Sequence, residues 1–330
     1  MTDGPLRPEG SSGSEGTATL PSGIEIAYCT FGPGSAEPLL LVMGLGGPSI
    51  WWHDELCADL VDAGFHVIRY DNRDVGWSTQ VKEQWVHRRQ VMRAFLGRPV
   101  PGAYTMADMA DDAFGLLDHL GIASAHVTGV SMGGMIAQTM AIAHPERVRS
   151  LVSIMSSTGR RTVGWQHPRL LPMLLGRNVH SRDAYIRQSA RVWDAIGSPG
   201  YPEDPEEKAR RAGDTWDRGI SPTGSLRQML AVLTQPDRTR ELRRLRMPVL
   251  VMHGTADKMV HPSGGRATAA AIPGAELELV PGMGHDLPLA LHPLFVHGIS
   301  RTAERAGGPP ATPRPRPAPE ARRAPRAGSR

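Results

Sequence analysis

The sequence predicts an α/β architecture: a mostly parallel central sheet with helices on both faces. Three observations predict it. Short, continuously apolar runs recur along the chain, as strands covered on both faces require. Longer segments between them carry apolar residues at helical spacing. This alternation is broken once, over residues 159–245, and then resumes. Alternating β and α units give a parallel sheet, with ligand chemistry at the carboxyl ends of its strands.

Each element has its own signal. Residues 1–19 are rich in Gly, Ser and Glu and read as a disordered segment. Residues 24–31 alternate and read as an early, antiparallel edge strand. Leu39-Leu40-Leu41-Val42-Met43 is a buried strand that ends in Gly44-Leu45-Gly46-Gly47. A helix follows over 51–64, closed by a glycine. His66-Val67-Ile68-Arg69-Tyr70 is the next strand, and it opens into the loop Asp71-Asn72-Arg73-Asp74-Val75-Gly76-Trp77-Ser78. Over 105–120, Met106, Met109, Ala113, Leu116, Leu117 and Leu120 fall on one helical face, with Thr105 and Asp108 spaced as a capping box. Residues 125–128 form a strand, 135–143 an apolar helix stopped by His144-Pro145, and 148–155 another strand.

Periodicity then fails. Residues 159–245 hold short apolar patches, many Arg and breakers at Pro168, Pro172, Pro199, Pro202, Pro205 and Pro222, which read as short helices in a separate lobe. Strand 248–253, helix 265–272, strand 276–280 and helix 288–303 complete the pattern. The expected organisation is therefore a core over 20–158 and 246–303, a helical insertion over 159–245, and a disordered Pro/Arg-rich tail over 304–330.

Charge excludes a nucleic-acid partner. The whole chain carries +4, but residues 305–330 alone hold seven Arg and one Glu, a net of +6, so residues 1–304 sit at −2. Two cysteines, Cys29 and Cys57, fall in a strand and a helix and read as core thiols rather than a disulfide. No apolar run reaches the ~20 residues of a membrane helix and no leader is visible, so a cytoplasmic protein with no membrane partner is expected. No His/Cys cluster has zinc-ligand spacing, and neither a metal nor any other cofactor is expected. Nothing specifies an oligomeric state.

The chemistry is carried by Gly129-Val130-Ser131-Met132-Gly133-Gly134. A G-x-S-x-G run between a β-branched strand and an apolar helix is the setting in which a serine sits on a strained elbow with its hydroxyl exposed. Side chains at Gly129 and Gly133 would collide where strand and helix close on the turn. A serine hydroxyl is a weak nucleophile and needs a base, and the base needs an orienting group. Chain order on this architecture is Ser, then Asp or Glu, then His. Gly254-Thr255-Ala256-Asp257 directly follows the strand ending at His253, and Gly282-Met283-Gly284-His285-Asp286 directly follows the last strand, which places Asp257 and His285 at carboxyl ends. Of the thirteen histidines, His126 and His144 stand in the wrong order, His253 lies at a strand end, and His292 and His297 look helical. Asp71 is the alternative orienting carboxylate; a structural role, fixing its loop through backbone N–H groups, suits it better. The developing oxyanion needs preorganised donors. The N–H of Met132, next to the nucleophile, is one, and the N–H of Leu45 in the Gly44-Leu45-Gly46 loop is the other. Trp51, Trp52 and Trp77, with Met173, Leu174 and Leu175, are candidates for lining an apolar pocket.

Over residues 20–303 the chain resembles the α/β-hydrolases. Val42-Met43-Gly44-Leu45-Gly46, in which Met43 stands where many members have His, the run from His66 to Ser78, and Pro281-Gly282-Met283-Gly284-His285 are most similar to the aclacinomycin methylesterase-like branch. The resemblance implies an α/β-hydrolase fold with a helical cap inserted after the strand ending near Met155. It also implies a triad of Ser131, Asp257 and His285, with oxyanion donors Leu45 and Met132. A small-molecule carboxylic ester is the implied substrate class, a polyketide-like methyl ester among its members. Lactone hydrolysis, C–C bond hydrolysis and cofactor-free perhydrolysis use the same triad on this fold, and a non-catalytic binding protein is the reading outside enzymes.

Overall fold

The computed structural model describes residues 13–82, 85–170 and 179–309. Eight strands form one sheet: β1 (Ser14–Thr19), β2 (Glu25–Phe31), β3 (Glu37–Val42), β4 (Phe65–Tyr70), β5 (Ala125–Val130), β6 (Val148–Ile154), β7 (Val249–Gly254) and β8 (Glu276–Val280). Their order is β1-β2-β4-β3-β5-β6-β7-β8. β1 and β2 pair antiparallel, and every pairing from β3–β4 onward is parallel. The order reverses at β3, so the loops after β3 and β5 open into one crevice at the carboxyl ends of neighbouring strands.

The central strands are buried from end to end. Val249–Gly254 and Ala125–Val130 have no exposed position, because helices cover both faces. One face is covered by α3 (Met106–His119) and α4 (Met132–Ala143), the other by α1 (Asp54–Asp62) and, at the chain's end, a helix over His292–Glu304. α3 starts as its spacing predicts: Thr105 Oγ1 accepts the Asp108 N–H, and Asp108 Oδ2 accepts the Thr105 N–H at 2.7 Å. Cys29 and Cys57 are free and buried.

Two expectations need correction. Residues 14–19 are a strand, not part of a disordered segment, and they displace β2 from the sheet edge. Only Ala18 of β1 is fully buried, so the polar stretch Ser-Glu-Gly-Thr-Ala-Thr pays almost no attention to side-chain alternation and is held by its backbone ladder. The helix expected over 51–64 is shorter. Ser49–Trp51 is a 3₁₀ turn, and α1 begins only at Asp54, with Asp54 and Glu55 in its first turn where the helix dipole favours acids.

Within 159–245 the described helices, continuing the numbering past α2 (Arg88–Phe95), are α5 (Arg182–Ile196), α6 (Pro205–Asp217), α7 (Pro222–Thr234) and α8 (Thr239–Leu242). Ser181, Asp204 and Ser221 cap α5, α6 and α7 through their side-chain oxygens, and Pro205 and Pro222 open the last two. The prolines read as breakers are thus partly helix starts. α9 (Ser263–Ala271) and α10 (His292–Glu304) complete the fold.

Candidate active site

The turn between β5 and α4 is built by exclusion. A Cβ at Gly129 would lie 2.2 Å from the Gly133 carbonyl oxygen, and one at Gly133 would lie 2.1 Å from that of Val42. Without side chains there, strand and helix close tightly enough to force Ser131 into φ 56°, ψ −118°. That left-handed conformation costs on the order of 1–3 kcal/mol in a non-glycine residue. Surrounding bonds hold it: the Ser131 N–H donates to the Ile154 carbonyl at 2.9 Å, and Ser156 Oγ donates to the Ser131 carbonyl at 2.8 Å.

Ser131 Oγ lies 3.0 Å from His285 Nε2, and His285 Nδ1 lies 2.8 Å from Asp257 Oδ2. The three side chains, expected from separate loops, therefore stand in one line. An ionised Asp257 accepts only, so Nδ1 carries the imidazole proton and Nε2 is left to accept the one on Ser131 Oγ. Asp257 is itself fixed: its Oδ1 accepts the N–H groups of Met259 at 2.8 Å and Val260 at 2.9 Å. Burial acts to raise the Asp257 carboxyl, but the charge and hydrogen bonds of His285 and His253 outweigh it and hold the group below the ordinary carboxylate range.

His253 was not singled out for any role by sequence. Fully buried, it donates from Nε2 to the Val260 carbonyl at 2.8 Å and brings the same N–H within 3.4 Å of Asp257 Oδ2. The loop carrying His285 is held by the end of α5 and the residues just after it. The His285 N–H donates to the Ile196 carbonyl at 2.8 Å, and the Gly284 N–H donates to Ser198 Oγ at 2.7 Å. Gly284 is required there because a Cβ would meet the Gly197 carbonyl at 2.3 Å. Asp286 turns away from His285 and accepts the Ser198 N–H at 3.1 Å.

Asp71 stands apart from this line. Its carboxylate accepts the N–H groups of Ser49 at 2.7 Å and Trp77 at 3.1 Å, as expected of a loop-fixing group, and it also pairs with the buried Arg218 at 2.8 Å. Leu45 and Met132 both border the cavity beside Ser131, and among the described residues neither backbone N–H has a protein acceptor. Met132 N–H opens α4, where the dipole favours negative charge. Met43 is held at its carbonyl by the Asn72 side chain at 2.9 Å.

A cavity of about 680 Å³ opens over Ser131, with an apolar wall from Met135, Met155, Val192, Trp193, Met229 and Val232. Trp51 faces it, edge-to-face with Trp193 at 5.1 Å and donating to Thr215 Oγ1 at 2.9 Å. The other two tryptophans do not. Trp52 is completely buried among Leu56, Leu60 and their neighbours beneath α1, and Trp77 stacks on the Arg218 guanidinium at 4.0 Å, away from the cavity. Trp51 closes the 3₁₀ turn and Trp52 follows it in extended backbone, so the two neighbouring side chains point to different environments. Met173, Leu174 and Leu175 lie outside the described residues. Among the described residues no cluster of three His, Cys, Asp or Glu side chains could hold a metal ion, and no helix is long and apolar enough to cross a membrane.

Two histidines, His126 in the core and the half-buried His53, give the fold an acid limit. Burial, with repulsion from His292 and Arg211, pushes His53 at the cavity wall down to about 3, and burial with Arg149 nearby pushes His126 down to about 4. The ordinary value is 6.5. Below pH 6.5 the unfolded chain therefore binds protons that the folded chain refuses, and stability falls as pH falls. By pH 4 the loss is expected to reach on the order of 3 kcal/mol per histidine. Urea unfolding at stepped pH checks this; a flat profile over that window would contradict it.

Comparison with known proteins agrees with this architecture. A family model described as the alpha/beta hydrolase fold matches residues 37–289. The rhodomycin D methylesterase DnrP of Streptomyces peucetius is 31% identical over 280 residues, covering 77% of this chain and 87% of its own. The enol-lactonase of Burkholderia xenovorans LB400 superposes with a TM-score of 0.66 at 23% identity, over 88% of this chain and 99% of its own. An esterase of a Rhodococcus species does so with a TM-score of 0.67 at 23% identity, over 89% and 98%.

Proposed function

The chain belongs to the α/β-hydrolase fold family, and on that premise we propose that it is a serine hydrolase cleaving a carboxylic ester through an acyl-enzyme. One observation carries the reading: the hydrogen-bonded line Ser131–His285–Asp257 at the floor of an apolar cavity. Ser131 attacks the ester carbonyl as His285 Nε2 takes its proton, and Asp257 holds the imidazole in the correct tautomer and stabilises its charged form. The N–H groups of Leu45 and Met132 receive the developing oxyanion. Protonated His285 then gives its proton to the leaving alcohol, and a water that it activates releases the acid. Residues 159–245 act as a cap dividing the core into 20–158 and 246–303, with Trp51, Met135 and Met155 among the core's contributions to the binding wall. The cavity's size and apolar lining suit a bulky substrate better than a short-chain ester, and the methyl ester of a polyketide-like molecule is the class that the similarity to a rhodomycin D methylesterase supports.

A fluorophosphonate probe tests the reading cheaply. The wild-type protein is expected to label and to hydrolyse p-nitrophenyl acetate, and Ser131→Ala is expected to do neither. Folded wild-type protein that does neither would favour a non-catalytic binding protein.

A further inference from the structure

α7 touches two things at once. Met229 and Val232 face the cavity, while Ser225 and Gln228, one turn apart, face the loop after β3. Gln228 is fully buried, and both ends of its side-chain amide are used. Its carbonyl accepts the Gly46 N–H at 2.7 Å, and its amino group donates to the Arg73 carbonyl at 2.8 Å. A Cβ on Gly46 would lie 3.2 Å from Ser225 Oγ, so the helix packs directly on that glycine. The preceding residue Arg227 locks the helix in register by a doubly bonded ion pair, Nε and Nη2 to the buried Asp74 at 2.7 Å each.

We propose that Gln228 is a positioning residue for the oxyanion loop, its amide fixing the Gly46 peptide and through it the direction of the Leu45 N–H. The proposal rests on Leu45 serving as an oxyanion donor. The physical need is local. Gly46 sits at φ +66°, and without a side chain its backbone crosses between conformations at little cost. The loop's own closure is a single turn bond, Gly47 N–H to the Gly44 carbonyl at 3.2 Å. A donor aimed at an oxyanion helps only if it is already in place when charge develops. Gln228 supplies that restraint from the opposite side of the loop. Because the same helix lines the cavity, the position of the 159–245 segment and the geometry at Leu45 are coupled: a substrate seated on Met229 and Val232 firms the helix that holds Gly46.

Gln228→Met removes both hydrogen bonds at nearly constant volume. Gln228→Glu, protonated in this buried setting, keeps an acceptor for Gly46 and a donor for Arg73. Each is compared with wild type, at equal folded content by circular dichroism, for kcat and KM on p-nitrophenyl butyrate. Affinity is measured for a trifluoromethyl ketone, which forms a tetrahedral adduct with the nucleophile, and for the matching methyl ketone, which does not. Gln228→Met is expected to lose about 10²-fold in kcat and a similar factor in trifluoromethyl ketone affinity, with KM and methyl ketone affinity little changed; Gln228→Glu is expected to retain most of both. The proposal is overturned if Gln228→Met keeps wild-type kcat and trifluoromethyl ketone affinity, or loses affinity for both ketones equally. Should the Met variant not fold, a Glu variant that folds but loses as much as about 10²-fold in kcat overturns it. Wild-type protein that fails to label with the fluorophosphonate would remove the parent reading instead, whereas normal labelling beside an unaffected Gln228→Met removes only this one.

Discussion

Replacing Ser131 by Ala is expected to lower kcat by about 10⁶-fold, the scale on which a triad acts as a unit. The fold should survive the change. The strained backbone at φ 56° is set by the absent side chains of Gly129 and Gly133 and by the bonds to Ile154 and Ser156, none of which involves the serine hydroxyl. Binding should survive too, because the cavity wall lies on other residues. The expected signature is thus a collapse of kcat with thermal stability and substrate-analogue affinity near wild type. Residual turnover comes from the oxyanion donors and from holding the ester in place. A Ser131→Ala protein with more than about a hundredth of wild-type kcat would place the nucleophile elsewhere.

Asp257→Asn is expected to lower kcat by about 10⁴-fold through the tautomer rather than through charge alone. Asp257 Oδ1 accepts two backbone N–H groups, so an asparagine there directs its carbonyl to Met259 and Val260 and its amino group toward His285. Two donors then face each other. His285 must move its proton to Nε2, where it can no longer accept one from Ser131. His253 Nε2, which donates to the Val260 carbonyl and lies 3.4 Å from Asp257 Oδ2, brings a third donor close to the same spot. Asp71→Asn is the control. It breaks a buried pair with Arg218, which removal of one partner makes costly by about 3–5 kcal/mol, yet leaves the His285 tautomer alone. Its damage should appear in the melting temperature and in KM before it appears in kcat. Near-normal turnover in Asp257→Asn together with an inactive, folded Asp71→Asn would reverse the assignment of the orienting carboxylate.

How far the sequence could be read depended on the range of the interactions. The elbow was legible because Gly129, Ser131 and Gly133 act within five residues, where strand period, glycine sterics and helix period all change together. Asp257 and His285 were legible because each stands in the loop directly after a strand, so sheet topology alone carries them to the same edge. β1 was missed because it is an edge strand buried at a single position, which leaves no apolar alternation to detect. The places of Trp52 and Trp77 are illegible for a similar reason: core packing after a 3₁₀ turn and a stack on Arg218 decide them, and neither has a periodic signature. The ties between α6 or α7 and the core were wholly illegible. Arg218–Asp71, Arg227–Asp74 and Gln228–Gly46 span 147, 153 and 182 residues, and they arise in the one segment without regular periodicity. Polar residues there look like surface until the fold buries them.

The acyl-enzyme is the intermediate on which the account depends, and it can be trapped. Wild-type protein mixed with p-nitrophenyl acetate is quenched in acid within the first turnover, digested and examined by mass spectrometry. A single acetyl group on the peptide carrying Ser131 is expected, with a burst of p-nitrophenol close to the enzyme concentration when deacylation is the slow step. An acetyl group on a different residue, or a burst with no adduct on Ser131, would contradict the account.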